Sequence, residues 1–254
     1  CRDMLAHHYG PDVHLFDDPF LDTLLARIGD PTTSTAAVPA LVRTAYARLG
    51  QEVLAREFPQ RRTRTMTRMA ATEPRGFVEH RQLCRDTRLV VTAVIRAGIL
   101  PAQVCYEAAI EVLPEANVRL DFLNLSRTVD PEHHVTGVRL DGSKIGGDVA
   151  DAVVLVPDPM GATGATVCRA VDIYLNQGGR PPRALVALHL MVTPEAIARV
   201  SAAHPGVKIY AGRLDRGLSS DRALASPPGR FPADVQYIVP GAGGMGELLT
   251  NSWV

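Results

Sequence analysis

The stretch richest in chemistry is Val153-Val154-Leu155-Val156-Pro157-Asp158-Pro159-Met160-Gly161-Ala162-Thr163-Gly164-Ala165-Thr166-Val167. An apolar run of strand character meets an acidic residue, passes through small and hydroxyl residues, and enters a helical segment. Small side chains let several backbone N–H groups converge on one anion, and Thr163 and Thr166 can add hydroxyl donors. A helix beginning near Thr166 contributes the positive end of its dipole, worth about 0.3–1 kcal/mol to a facing anion. A phosphate monoester suits such a loop, and Asp158 at the strand tip is placed to accept from ribose hydroxyls. The same residues also suit a tight strand–helix turn that holds nothing, and composition leaves both readings open. The loop is not a P-loop, because no Gly-Lys-Ser/Thr follows, nor a G-x-G-x-x-G dinucleotide loop.

Other chemistries find less to work with. His133-His134 could suggest a metal, but in a polar loop they read as solvent-exposed. No Ser/His/Asp arrangement, paired carboxylates or His/Cys/Glu cluster with metal-site spacing stands out. Cys1, Cys84, Cys105 and Cys168 are scattered without a C-x-x-C pair, the usage of reduced thiols. The basic run at 61–68 reads as a solvated face. Across 254 residues, 27 basic side chains balance 27 acidic ones, which argues against a general nucleic-acid binder. A small polyanion is not excluded, since that needs only local charge. A hydrophobic fraction of 46% is enough for a core without metal or disulfide staples. No apolar run approaches the roughly 18 residues of a membrane span. The chain opens at Cys1 without a signal-like segment, so its start is read as trimmed and the cytoplasm as its expected address.

The elements that must position the loop follow from periodicity. Residues of about 15–60 read as helical, with one stripe of Leu21, Leu24, Leu25 and Ile28 and another of Val38, Leu41, Val42, Ala45 and Leu49. Leu89–Ile95 is a continuous apolar run, as expected of a strand buried on both faces. Pro101 fits the first turn of a helix. A strand is expected at 118–125, followed by a polar, Gly-rich stretch from Ser126 to Asp148. Then come a strand at Ala152–Val156, a helix at Thr166–Leu175, a strand at Ala184–Leu188, a helix at Pro194–Val200 and a strand at Val207–Tyr210. This alternation implies an α/β fold with a mostly parallel sheet covered by helices on both sides. Ligands of such sheets sit at the carboxyl ends of the strands.

Residue order in the loop says more than composition. Asp158 to Thr166 resembles the phosphoribosyl diphosphate loop of uracil phosphoribosyltransferases, D-P-M-L-A-T-G-G-S. Val94-Ile95-Arg96-Ala97-Gly98-Ile99-Leu100 is similar to that family's I-L-R-A-G-L segment. Thr193-Pro194-Glu195-Ala196-Ile197 is similar to its A-P-E-G-I helix start, and Tyr237-Ile238-Val239-Pro240-Gly241-Ala242-Gly243 to its Y-I-I-P-G-L-G segment. The segments fall in the family's order, and the likeness runs from about residue 15 to the C-terminus.

The resemblance implies a type I phosphoribosyltransferase fold: a single domain with an N-terminal helical region of about 15–60, a core of about 85–212 and a small hood of about 213–254. It implies transfer of a 5-phosphoribosyl group from phosphoribosyl diphosphate to uracil, releasing diphosphate. Arg96, Arg127 and Asp158 become the expected catalytic residues. Pro159, Met160, Gly161, Ala162, Thr163, Gly164, Ala165 and Thr166 complete the donor site with them. Backbone groups of Ile238, Gly243, Gly244 and Met245 become the expected base contacts. Mg²⁺ is expected, bound mainly through the substrate diphosphate, and a homodimer or higher assembly is expected. The match at Arg127 is looser, because Arg127-Thr128-Val129-Asp130-Pro131-Glu132 replaces R-N-E-E-T-L. The hood departs further: Gly243-Gly244-Met245-Gly246-Glu247 stands for G-D-A-G-D, so Gly244 replaces an aspartate, and an insertion occupies about 219–234. These departures leave open a phosphoribosyltransferase for another heterocyclic base, or a non-catalytic nucleotide sensor.

Overall fold

In the computed structural model, residues 4–129, 135–219 and 237–252 are described. The elements run β1 (Val13–Leu15), α1 (Pro19–Gly29), α2 (Val38–Glu57), β2 (Gln60–Met66), β3 (Phe77–Leu83), β4 (Leu89–Ile95), α3 (Ile99–Ile110) and β5 (Val118–Val129). They continue with β6 (Val135–Lys144), β7 (Val153–Pro157), β8 (Met160–Gly161), α4 (Ala165–Leu175), β9 (Ala184–Val192), α5 (Pro194–Ala203) and β10 (Lys208–Leu214). The short strands β11 (Gly217–Ser219) and β12 (Tyr237–Val239) and the helix α6 (Met245–Thr250) end the chain.

The apolar runs stand side by side in one sheet of order β1-β10-β9-β7-β4-β5-β6, with β8 added beside β9. Its pairs are parallel except β5 with β6. Alternate residues of β4 face opposite sides: Leu89, Val91 and Ala93 join the core beneath α1–α3, while Val90 and Val94 join the core beneath α4. A run buried on both faces reads as unbroken hydrophobicity for this reason.

Both N-terminal stripes pack onto the chain's own sheet. Asp18 starts α1 by accepting from the N–H groups of Phe20 (3.1 Å) and Leu21 (3.3 Å), a cap worth about 1 kcal/mol, and pairs with Arg48 of α2. Helices α2 and α3 approach closely because Gly50 faces Cys105: a Cβ at Gly50 would lie 3.2 Å from Cys105 Sγ. Burial pushes the Cys105 thiol up to about 12, so it packs as an inert hydrophobe.

Two expectations need correction, and a third gains detail. The strand expected at 118–125 continues to Val129, and the polar stretch after it contains β6, paired antiparallel with β5. Polar, Gly-containing residues hide that pairing, which joins β5 to a largely exposed strand through a backbone ladder. The basic run at 61–68 is exposed as expected, yet it lies in a hairpin, β2 with β3, that forms its own two-stranded sheet. Helix α4 begins at Ala165, with Gly164 as its cap, one residue before the expected Thr166. The His133-His134 pair and residues 220–236, nearly all of the insertion, lie outside the described residues.

One buried polar cluster fastens the β5–β6 hairpin to the sheet and to α4. Asp121, fully buried, accepts from Arg119 Nε (2.9 Å) and Nη2 (3.1 Å), from Gly146 N–H (3.0 Å) and from Tyr174 Oη (3.0 Å). Burial, then the Asp121 charge, pushes the Tyr174 phenol far up, so it remains a donor. The Thr92 hydroxyl lies 2.8 Å from the same phenol oxygen.

Candidate active site

Chain order reverses direction between two neighbouring strands: β4 leads outward to β5, and β7 leads the other way to β9 and β10. Loops leaving such a pair diverge and open a crevice at the carboxyl ends. Parallel pairing of Leu89–Val91 with Val153–Leu155 puts Arg96, just past β4, and Asp158, just past β7, on that one edge. The turn after β4 presses on the end of β7. A Cβ at Gly98 would lie 2.7 Å from the Val94 carbonyl oxygen and 3.0 Å from that of Pro157, so only glycine fits. The Ile95–Arg96 and Val239–Pro240 peptides are cis. Ile95 is in register with Asn124, which carries the Arg127 backbone past the same edge on β5; the Arg127 side chain lies outside what is described.

The loop after β7 is held from below. Its residues Met160–Gly161 pair with Met191–Val192 of β9. Thr193, fully buried at the cap of α5, donates to the Ala162 carbonyl at 2.6 Å and accepts from Ala196 N–H at 3.0 Å. The upper side is then occupied by Thr163, Gly164 and the first turn of α4, whose N–H groups have no intrahelical partners. The Thr163 hydroxyl accepts from Ala165 N–H at 3.3 Å, and Met160 N–H points to Asp158 Oδ1 at 3.4 Å. Gly164 has φ +73°, and a Cβ there would lie 2.9 Å from the Ala196 carbonyl oxygen. Gly164→Ala is expected to cost about 1–3 kcal/mol, seen as a lower urea midpoint with unchanged slope.

Beneath the loop sits a histidine that sequence reasoning passed over. His189 lies in the apolar run of β9 and is 2% exposed. Its Nδ1 is 2.6 Å from the Asp158 carbonyl oxygen, which can only accept, so Nδ1 carries the proton. A Cβ at Gly161 would stand 3.1 Å from its ring; Gly161, where the family pattern has leucine, leaves room for the imidazole. Burial holds the His189 imidazole below its usual range, and burial does the same at His14. Above about pH 6.5 the folded and unfolded forms are both neutral. As pH falls through that value the unfolded chain takes up protons that the folded chain resists, so stability is lost. Each histidine adds a slope of up to about 1.4 kcal/mol per pH unit. Chemical denaturation of His189→Asn between pH 7 and 5 should show a shallower acid loss than wild type; parallel curves would refute this.

The C-terminal hood meets this edge at Arg96. Arg96 Nη2 lies 3.2 Å from Glu247 Oε1 of α6, and Nη1 donates to the Ser252 carbonyl at 3.0 Å. Strand β12 places Ile238 opposite Leu218 of β11. Gly243 (φ +79°) and Gly244 are exposed, whereas Met245 is buried in the core. A Cβ at Gly244 would overlap the Glu247 carboxylate. Glu195, at the start of α5, steadies β11 by accepting from Leu218 N–H at 3.3 Å. The structure therefore gathers Arg96, the 158–166 loop and 238–247 at one edge. A hollow of about 440 Å³ beside the β2–β3 arm, lined by Arg62, Arg64, Glu79 and His80 among others, lies away from these loops and has no part in this site.

A mostly parallel sheet with a direction switch between β4 and β7, a small-residue loop at the switch and a hood facing it define a type I phosphoribosyltransferase. A family model described as uracil phosphoribosyltransferase matches residues 15–230, and the chain belongs to that family. Uracil phosphoribosyltransferases of Burkholderia mallei (strain ATCC 23344) and Burkholderia thailandensis are 28% and 27% identical over 239 residues, covering 94% of this chain and 94% of each relative. Among solved structures, the AQ2163 protein from Aquifex aeolicus aligns with a TM-score of 0.71 at 21% identity, over 95% of this chain and 99% of that one. An adenine phosphoribosyltransferase from Trypanosoma brucei aligns with a TM-score of 0.52 at 11% identity, over 92% and 96%.

Proposed function

We propose that the chain transfers the 5-phosphoribosyl group of phosphoribosyl diphosphate to uracil, giving UMP and diphosphate. The observation that carries this reading is the convergence of Arg96, the 158–166 loop and the 238–247 hood at the switch point of the sheet. Residues 162–166 and the start of α4 hold the 5′-phosphate through backbone N–H groups and hydroxyls, and Asp158 accepts from the ribose hydroxyls. Arg96 and Arg127 bind the diphosphate. The bond from C1′ to the diphosphate oxygen breaks with its electron pair leaving on diphosphate. Positive charge grows at C1′, and a ring nitrogen of the base bonds there and loses its proton to solvent. Catalysis then rests on orienting the two reactants and stabilising the departing anion.

Mg²⁺ fits this edge in one mode, bound mainly through the substrate diphosphate with several waters retained. Asp158 is the carboxylate the loop offers, and among the described residues no group of three or more His, Cys, Asp or Glu side chains is gathered. When bound, the ion supplies charge neutralisation to the leaving group. Uracil as acceptor is supported by the matching family model and by the activity for which the Burkholderia relatives are named. A different heterocycle is the second reading, favoured by Gly244, which stands where the family pattern has an aspartate. A homodimer or higher assembly suits the separate β2–β3 arm, where Met66 and Met69 are exposed. No helix among the described residues is long and apolar enough to cross a membrane.

The test is incubation with Mg²⁺, phosphoribosyl diphosphate and a panel of bases, with products followed by mass. UMP from uracil is the expected result. Diphosphate release with another ring and never with uracil would keep the reaction class and refute the acceptor.

A further inference from the structure

The hood backbone needs an external support. Within 238–245 only Gly241 and Met245 are buried, and Gly241 has no side chain to pack. A buried peptide unit of this kind has to be held through its own N–H and C=O groups. One ion pair takes both. Gly241 N–H donates to Asp215 Oδ2 at 2.9 Å, and Arg213 Nη2 donates to the Gly241 carbonyl at 3.1 Å. The same Nη2 donates to Asp215 Oδ2 at 3.0 Å, and Arg213 Nε pairs with Oδ1, a two-point contact with strong geometric preference.

This clamp is rooted in the sheet. Arg213 lies in β10 and Asp215 directly follows it, 2% exposed, with its own N–H bonded to the Val192 carbonyl at 2.8 Å. Helix α1 closes in from the other side, where a Cβ at Gly29 would lie 3.3 Å from the Gly241 carbonyl oxygen. Gly241 itself has φ +61°, and a Cβ there would overlap the Ile238 carbonyl. The turn is thus fixed in a conformation only glycine takes easily.

We propose that Arg213 and Asp215 are positioning residues for the acceptor base. By gripping both polar groups of Gly241, they set where the 242–245 backbone presents its N–H and C=O groups to a heterocycle. The inference rests on the reading that the hood holds the base. Neither side chain touches the ligand; both act through the backbone they hold.

The test uses the full chain with Asp215→Asn or Arg213→Lys. Arg213→Lys leaves Asp215 with a charged partner, so it removes the two-point grip without orphaning a buried carboxylate. Amide hydrogen exchange at 238–247 should accelerate about ten-fold or more in both variants, and KM for uracil should rise about ten-fold or more. Exchange at 159–166 and the Kd of Mg²⁺-diphosphate by calorimetry should stay within about two-fold of wild type. Unchanged exchange at 238–247, or an equal loss of diphosphate affinity, overturns the proposal. If wild type turns over no uracil, the acceptor reading fails, and the exchange comparison still decides the clamp.

Discussion

Replacing Arg96 by alanine should lower kcat by about 10²–10³-fold, the loss typical of removing one preorganised donor from a developing anion. Arg96 follows a buried strand, on a turn whose glycine tolerates no side chain, so its guanidinium is presented from a rigid base. It pairs with the Glu247 carboxylate, and both side chains are about a third exposed, 33% and 28%. A pair so open to solvent contributes about 0–1 kcal/mol to stability. The variant should therefore melt within a few degrees of wild type while failing in phosphoribosyl transfer. Steady-state assays at saturating base, set beside thermal melts, make the distinction. Arg96→Lys should fall between, because a lysine keeps the charge and loses the planar fork. Wild-type turnover in the alanine variant would remove Arg96 from the site.

Asp121→Ala should do the opposite, sparing the chemistry and weakening the fold by about 3–5 kcal/mol, the usual cost of removing one partner from a buried ion pair. Arg119 keeps 24% side-chain exposure, which favours the lower end of that range. The carboxylate satisfies the Arg119 guanidinium, Gly146 N–H and the Tyr174 phenol together. Losing it strands donors from β5, from the segment after β6 and from α4. At about 2–4 °C per kcal/mol for a chain of this size, the melting temperature should fall by about 10 °C. Asp121→Asn retains one acceptor and should cost less. A change below about 1 kcal/mol in denaturant titrations would show that the cluster can rearrange around the gap.

These two residues also differ in how visible they are beforehand. Arg96 stands at the end of Leu89–Ile95, an apolar run whose strand character is a local property, and the resemblance of its neighbours to a known segment gives it a role. Asp121 sits among Arg119, Leu120 and Phe122 in a strand with no distinguishing pattern. Its importance comes from Tyr174 and Gly146, which are distant in the chain. His189 is similar: a polar residue in an apolar run signals that something must satisfy it, but only the fold shows that the partner is the Asp158 carbonyl. The same holds for the β2–β3 and β5–β6 hairpins. Strands β2, β3 and β6 are polar and largely solvated, so no buried face imposes a period on them, and their pairing is decided by backbone hydrogen bonds.

By itself, then, the sequence determined the alternation of buried strands and amphipathic helices, the small-residue loop after Val153–Pro157 and the family resemblance of that loop. Each is written in neighbouring residues, where burial on both faces, helical spacing and the small size of side chains act locally. Tertiary structure alone decided that β4 and β7 are the neighbours at which the sheet changes direction, and that Glu247 meets Arg96. It also decided that Arg213 and Asp215 grip Gly241. Those contacts join residues 26 to 151 positions apart, and no local preference selects a partner at that distance. They form because strand order and parallel register bring the ends of separate elements to one edge.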